Sequence, residues 1–142
     1  MATLARRCAS PAGTATVTVT PVPQKLFTVT PCRLVDTRDV SPPLLSPGQR
    51  RNFLAAGNCG VPATARTVAV NVTVAGPTAA GYLTLFPGDA QDPPVVSTVN
   101  FRQGQVRANN AVAPLGADGR LGILNGSAGS THVIVDVVGY FE

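Results

Sequence analysis

His132 is the only histidine in the chain, and Asp136 is the nearest carboxylate to it in sequence. Four residues along an extended strand, at about 3.3 Å each, place the two roughly 13 Å apart. They cannot form an acid–base dyad directly, and no G-x-S-x-G or other nucleophile setting lies nearby. Asp136 sits between Ile134 and Val138, where a carboxylate is costly unless it is paired. The expectation is a buried ion pair, with Arg33 or Arg38 as the donor. Asp36 and Asp39 are three apart, as are Asp89 and Asp92, and either pair could hold Ca²⁺ together with backbone carbonyls. Two carboxylates make a thin site. No catalytic residue, resident metal or other cofactor is therefore expected.

Cys32 and Cys59 lie in loop-like settings, Thr-Pro-Cys-Arg and Asn-Cys-Gly-Val-Pro, and no cysteine spacing suits a zinc site. A bridge between them would close a loop of about 27 residues, worth roughly 3.5 kcal/mol in the chain-entropy account. That usage points to an oxidising, extracellular setting. Cys8 is left over. Met1 to Arg7 holds no apolar run of signal-peptide length.

Ten Arg and one Lys against six Asp and one Glu leave a net charge of +4. The basic residues are scattered and not interleaved with aromatics, which argues against nucleic-acid binding. No run is long and apolar enough to span a membrane.

These residues need elements to position them. The 142 residues suit one domain, and a chain of that size buries about 68% of its unfolded surface. Apolar residues make up 44% and charged residues 13%, with 14 Gly, 13 Pro and no Trp. Val and Thr alternate repeatedly while helix formers are scarce, an all-β composition punctuated by Pro and Gly.

Residues 130–141 are the stretch around which the sheet is built. With period two, Val133, Val135, Val137, Gly139 and Phe141 face the core, and His132, Ile134, Asp136, Val138 and Tyr140 face the other way. A strand apolar on both faces predicts a central position with something covering each side.

Residues 66–74 alternate as cleanly, with Val68, Val70, Val72 and Val74 inward. Residues 81–86 are the expected hairpin partner, and 95–101 pairs with 106–112 around residues 102–105. Asp118-Gly119 marks a turn before 120–124, and Asn125-Gly126 opens the loop into the last strand. Nine or ten short strands at this spacing predict a two-sheet antiparallel β-sandwich, jelly-roll-like, over residues 26–142.

Residues 1–25 read as an N-terminal arm. Its first ten residues are expected to be disordered unless something ties them down. The single strand 13–20 follows, with Ala15, Val17 and Val19 on one face, and then a stiff Pro21–Pro23 hinge.

The blocks PCRLVDTR (31–38), CGVPATA (59–65), VAVNVTV (68–74), GYLTLFP (81–87), STVNFRQGQ (97–105), RANNAVAPLG (107–116) and HVIVDVVGYF (132–141) resemble a recurrent β-rich module of secreted, multidomain bacterial surface proteins. The resemblance covers residues 26–141. It implies an extracellular β-sandwich, supports the Cys32–Cys59 pairing, and implies no enzyme activity. Residues 11–20 fall outside it and look like the last strand of a preceding immunoglobulin-like domain. In a bacterial setting the N-glycosylation triplets at Asn71 and Asn125 are coincidental.

The expected function is a non-enzymatic extracellular structural or assembly module. Strand 13–20, given head-to-tail to a neighbour, would build a homo-oligomer or filament. The contrasting function is carbohydrate binding by a polar surface that includes Asn71, Tyr82, Asn100 and Asn109.

Overall fold

A computed structural model describes residues 4–10, 13–20, 22–39 and 44–142. Every regular element in it is a strand: β1 (Leu4–Ser10), β2 (Gly13–Val19), β3 (Leu26–Asp36), β4 (Arg50–Leu54), β5 (Thr67–Ala75), β6 (Gly81–Pro87), β7 (Val99–Phe101), β8 (Arg107–Pro114), β9 (Arg120–Asn125) and β10 (His132–Phe141). β3-β10-β5-β8 form one antiparallel sheet and β4-β9-β6-β7 the other. Of the connections from β3 onward, only β6–β7 joins neighbours within a sheet. That order is an eight-stranded jelly roll.

The core follows from alternation. β5 buries every second residue, and Val68, Val70, Val72 and Val74 are all essentially inaccessible. They meet Val133, Val135 and Val137 of β10 and, from the second sheet, Leu83, Leu85, Leu121 and Ile123. A fully buried side chain of this size is worth about 1.5–3 kcal/mol.

Two expected hairpins are absent. β5 pairs with β10 and β8, while β6 pairs with β9 and β7. Residues 76–80 instead cross between the sheets, as do residues 102–106. Pro77 has no N–H for a ladder, and its carbonyl accepts from Gly104 N at 2.8 Å, tying the two crossings together. The reason is burial: two strands that each carry one apolar face can cover both sides of a core only from opposite layers. The expected strand 95–101 shrinks to β7. Residues 88–98 instead lie over the outer face of β6, where Thr84 Oγ1 donates to Val96 O and Leu85 N donates to Thr98 Oγ1.

β10 is central, as expected, but its simple period two fails near the end. A register shift between Val137 and Gly139 leaves Val137 opposite Val70 and Tyr140 opposite Val68. The extra residue at this bulge reverses the parity. Tyr140, not Phe141, packs against the core and stacks on Phe27 with ring centroids 5.3 Å apart. The outer face of β10 has the expected cover only in part: Ile134 is buried, but Asp136 is partly exposed and Val138 is exposed.

The N-terminal arm holds two strands where one was expected. Residues 4–10, expected to be disordered unless tied down, form β1, which is tied to β2 from Leu4↔Val19 to Ser10↔Gly13. Strand 13–20 is therefore one half of a hairpin, with one edge already paired. Pro21 lies outside the described residues.

Candidate functional site

The residues able to do chemistry are held by one another. Asp136 lies opposite Arg33 in the β10–β3 register, and Arg33 Nε and Nη2 reach its two carboxylate oxygens at 2.9 and 3.3 Å. Arg33 Nη1 also reaches Asp36 at 3.2 Å. Arg38 folds back from the turn after β3 and gives Asp36 three bonds, from Nε at 2.9 Å, Nη2 at 2.6 Å and its backbone N at 3.1 Å.

The buried carboxylate is thus Asp36, whose side chain is 4% exposed. Asp136 is 25% exposed and its partner Arg33 is 51% exposed. This corrects the expected buried pair. Asp136 projects from an uncovered sheet face, and Arg38 is too close in the chain to Asp36 to serve it. The Arg38 hydrogen bonds hold the Asp36 carboxyl well below the usual carboxylate range, against the opposing effect of burial, with further attraction from Arg38 and Arg33.

His132 is equally structural. Its Nδ1 lies 3.3 Å from Thr37 Oγ1, which accepts from Val133 N at 2.8 Å. Asp89 accepts from Ala117 N at 2.8 Å. Among the described residues, no set of three or more His, Cys, Asp or Glu could hold a metal ion. Cys32 and Cys59 are bonded at 2.05 Å with Cα atoms 5.4 Å apart, joining β3 to the loop after β4. Cys59 has φ of 52°, a left-handed conformation rare outside glycine.

Sequence reasoning missed Asn125 as a buried knot. Its Nδ2 donates to the carbonyls of Leu45, Ser46 and Gly129, and its Oδ1 accepts from Ser127. The Asn-Gly pair signalled a turn, but nothing local signals the distant carbonyls. No buried side-chain nitrogen or oxygen among the described residues lacks a partner.

The four residues expected to share one polar surface separate. Asn71 lies on the outer face of the first sheet, between Asp136 and Asn110. Tyr82 and Asn100 are cross-strand partners in the second sheet. Asn109 joins them from the edge of β8, its Nδ2 donating to Thr98 O at 2.8 Å. Tyr82, Val95, Val96, Ser97 and Asn100 line a recess of about 260 Å³. A second recess of about 150 Å³ shares Asn100 and is also lined by Thr98, Arg107 and Asn109.

A third surface lies on the first sheet. Among the described residues, β8 ends that sheet with an unpaired edge. Beside it, Ala69, Val112 and Val138 line an apolar hollow of about 310 Å³.

No family model matches the chain, and no curated protein does. Among solved structures, a Tobacco streak virus coat protein dimer is 14% identical, with a TM-score of 0.39 over 84% of this chain and 89% of that one. A second crystal form of that coat protein gives 13% identity and a TM-score of 0.40, over 84% and 88%.

Proposed function

We propose that the chain is a non-enzymatic module of an extracellular or cell-surface protein, and that it assembles with copies of itself by adding strands across sheet edges. The observation that carries this reading is the open edge of β8 beside the exposed Val112 and Val138. An edge strand of eight residues with apolar neighbours is a template for a further strand. The donor is the free edge of β2 from the next copy, whose sequence offers Ala15, Val17 and Val19 on one face. One copy then gives and the next receives, a heterologous contact that builds a filament unless it closes into a ring. The Cys32–Cys59 bond supports an oxidising compartment. The commitment of Asp36, Asp136 and His132 to one another's neighbourhoods supports the absence of catalysis.

Sedimentation velocity on three proteins tests it: the full chain, the chain without residues 1–22, and Val112→Lys. The full chain should form polymers visible by electron microscopy, and both variants should be folded monomers. Polymers unaffected by either change, or a monomeric full chain, would sink the proposal.

A further inference from the structure

We propose that the two recesses meeting at Asn100 form a binding site for a short uronic-acid oligosaccharide, with one sugar ring on Tyr82 and its neighbour's carboxylate on Arg107. The site adjoins the β8 edge used in the assembly reading, since Arg107 and Asn109 belong to β8, but it is argued from different groups and does not rest on that reading.

The Tyr82 ring rests on bare backbone. A Cβ built on Gly126 would come within 2.3 Å of Cε2 and Cζ, so only glycine permits this seat. The main chain therefore backs a flat, half-exposed aromatic, and pyranose rings present their C–H faces to such surfaces. Val95 and Val96, both exposed, widen the apolar wall of the recess. An exposed valine pair beside a fixed ring is surface that a partly apolar ligand would cover.

The polar groups here are uncommitted. Asn100 Nδ2 donates to Ser97 Oγ at 3.0 Å, which orients the amide and leaves Oδ1 free to accept from a hydroxyl. The Tyr82 hydroxyl and the Arg107 guanidinium form no hydrogen bond or ion pair with any described residue. Arg33, Arg38 and Arg120, by contrast, are each held by an aspartate. Arg107 lines the second recess together with Asn109, whose amide is fixed on Thr98 O.

Arg107 thus offers a planar fork suited to a carboxylate, one recess away from a ring seat. The net charge of +4 favours an acidic ligand at long range. A glycan fits better than a peptide because the ring seat and the carboxylate clamp are separated by a hydrogen-bonding ridge, Asn100, suited to sugar hydroxyls.

Isothermal titration of the full chain uses tetragalacturonate, a hyaluronan tetrasaccharide, the methyl ester of tetragalacturonate, and tetraglutamate. At least one of the two uronates should bind with Kd near 10⁻⁴ M, on the order expected for a shallow site. Removing the charge, by the ester or by Arg107→Gln, should weaken binding about tenfold, the loss of one charged hydrogen-bonded pair. Tyr82→Phe, which keeps the ring on Gly126, should weaken both the acid and the ester about threefold, one neutral hydrogen bond. Arg107 is exposed, so its variant should keep the parent's melting temperature. Three outcomes overturn the proposal: neither uronate binds, Arg107→Gln binds as the parent does, or tetraglutamate binds as tightly as the better uronate.

Discussion

At the scale of single residues, Asp36 should make the fold sensitive to acid. Its carboxyl is held low by hydrogen bonds from Arg38 that outweigh its burial. A group whose folded pKa is depressed contributes stability that is complete above its unfolded value, about 3.9, and is lost as pH falls through the folded value. Asp36→Asn should be less stable than the parent at neutral pH, and that difference should shrink as the pH drops below about 4. Chemical denaturation at a series of pH values reads this directly, and a constant difference would clear Asp36. Asp136→Asn, made in parallel, should cost less at neutral pH, because its pair with Arg33 stands in solvent.

At the scale of elements, the second sheet is organised by aromatics seated on glycines of the adjacent strand. Phe86 lies directly across from Gly122, and a Cβ there would come within 2.4–2.8 Å of three ring atoms. Tyr82 repeats the arrangement on Gly126, one residue past the end of β9. Gly122→Ala should therefore cost about 1–3 kcal/mol by overpacking. Adding Phe86→Leu should remove much of that strain, leaving a coupling of at least about 0.5 kcal/mol in a urea-denaturation cycle. Strict additivity would show that ring and glycine do not press on each other. The ring is buried on this seat, with Gly88, Ala90 and Gln91 beside it.

At the scale of the whole molecule, one covalent tie supplements a continuous core. The Cys32–Cys59 bond closes a separation of 27 residues. Replacing both cysteines with serine should lower unfolding stability by about 3 kcal/mol, mainly by freeing the unfolded chain. The sandwich should survive, because its core runs through both sheets from Val35 to Val137 without depending on that bond. Circular dichroism at 25 °C that finds the double variant unfolded would show the core insufficient alone. The same long-range construction makes folding slow relative to helical domains, since within the two four-stranded sheets every strand pair except β6–β7 joins distant segments.

The composition and the period-two runs settled that this chain is all-β, that Val68 to Val74 and Val133 to Val137 line the core, and where most strands begin and end. Those properties are local: alternation on a pleated backbone decides which side of a strand is apolar. The Gly-aromatic seats and the Asn125 knot were not legible, because each joins groups from different segments through space. The Asp36 cluster, local in its Arg33 and Arg38 bonds, was missed because burial of Asp36 is set by the packed sheets. Only the fold decided which strands are neighbours. Residues 66–74 and 81–86 look like a hairpin in one dimension, yet the free energy of closing a core from both sides sends them to opposite sheets. The bulge between Val137 and Gly139 was invisible for a related reason. A register shift is a property of a strand pair, and one inserted residue turned Tyr140 inward and left Val138 in solvent.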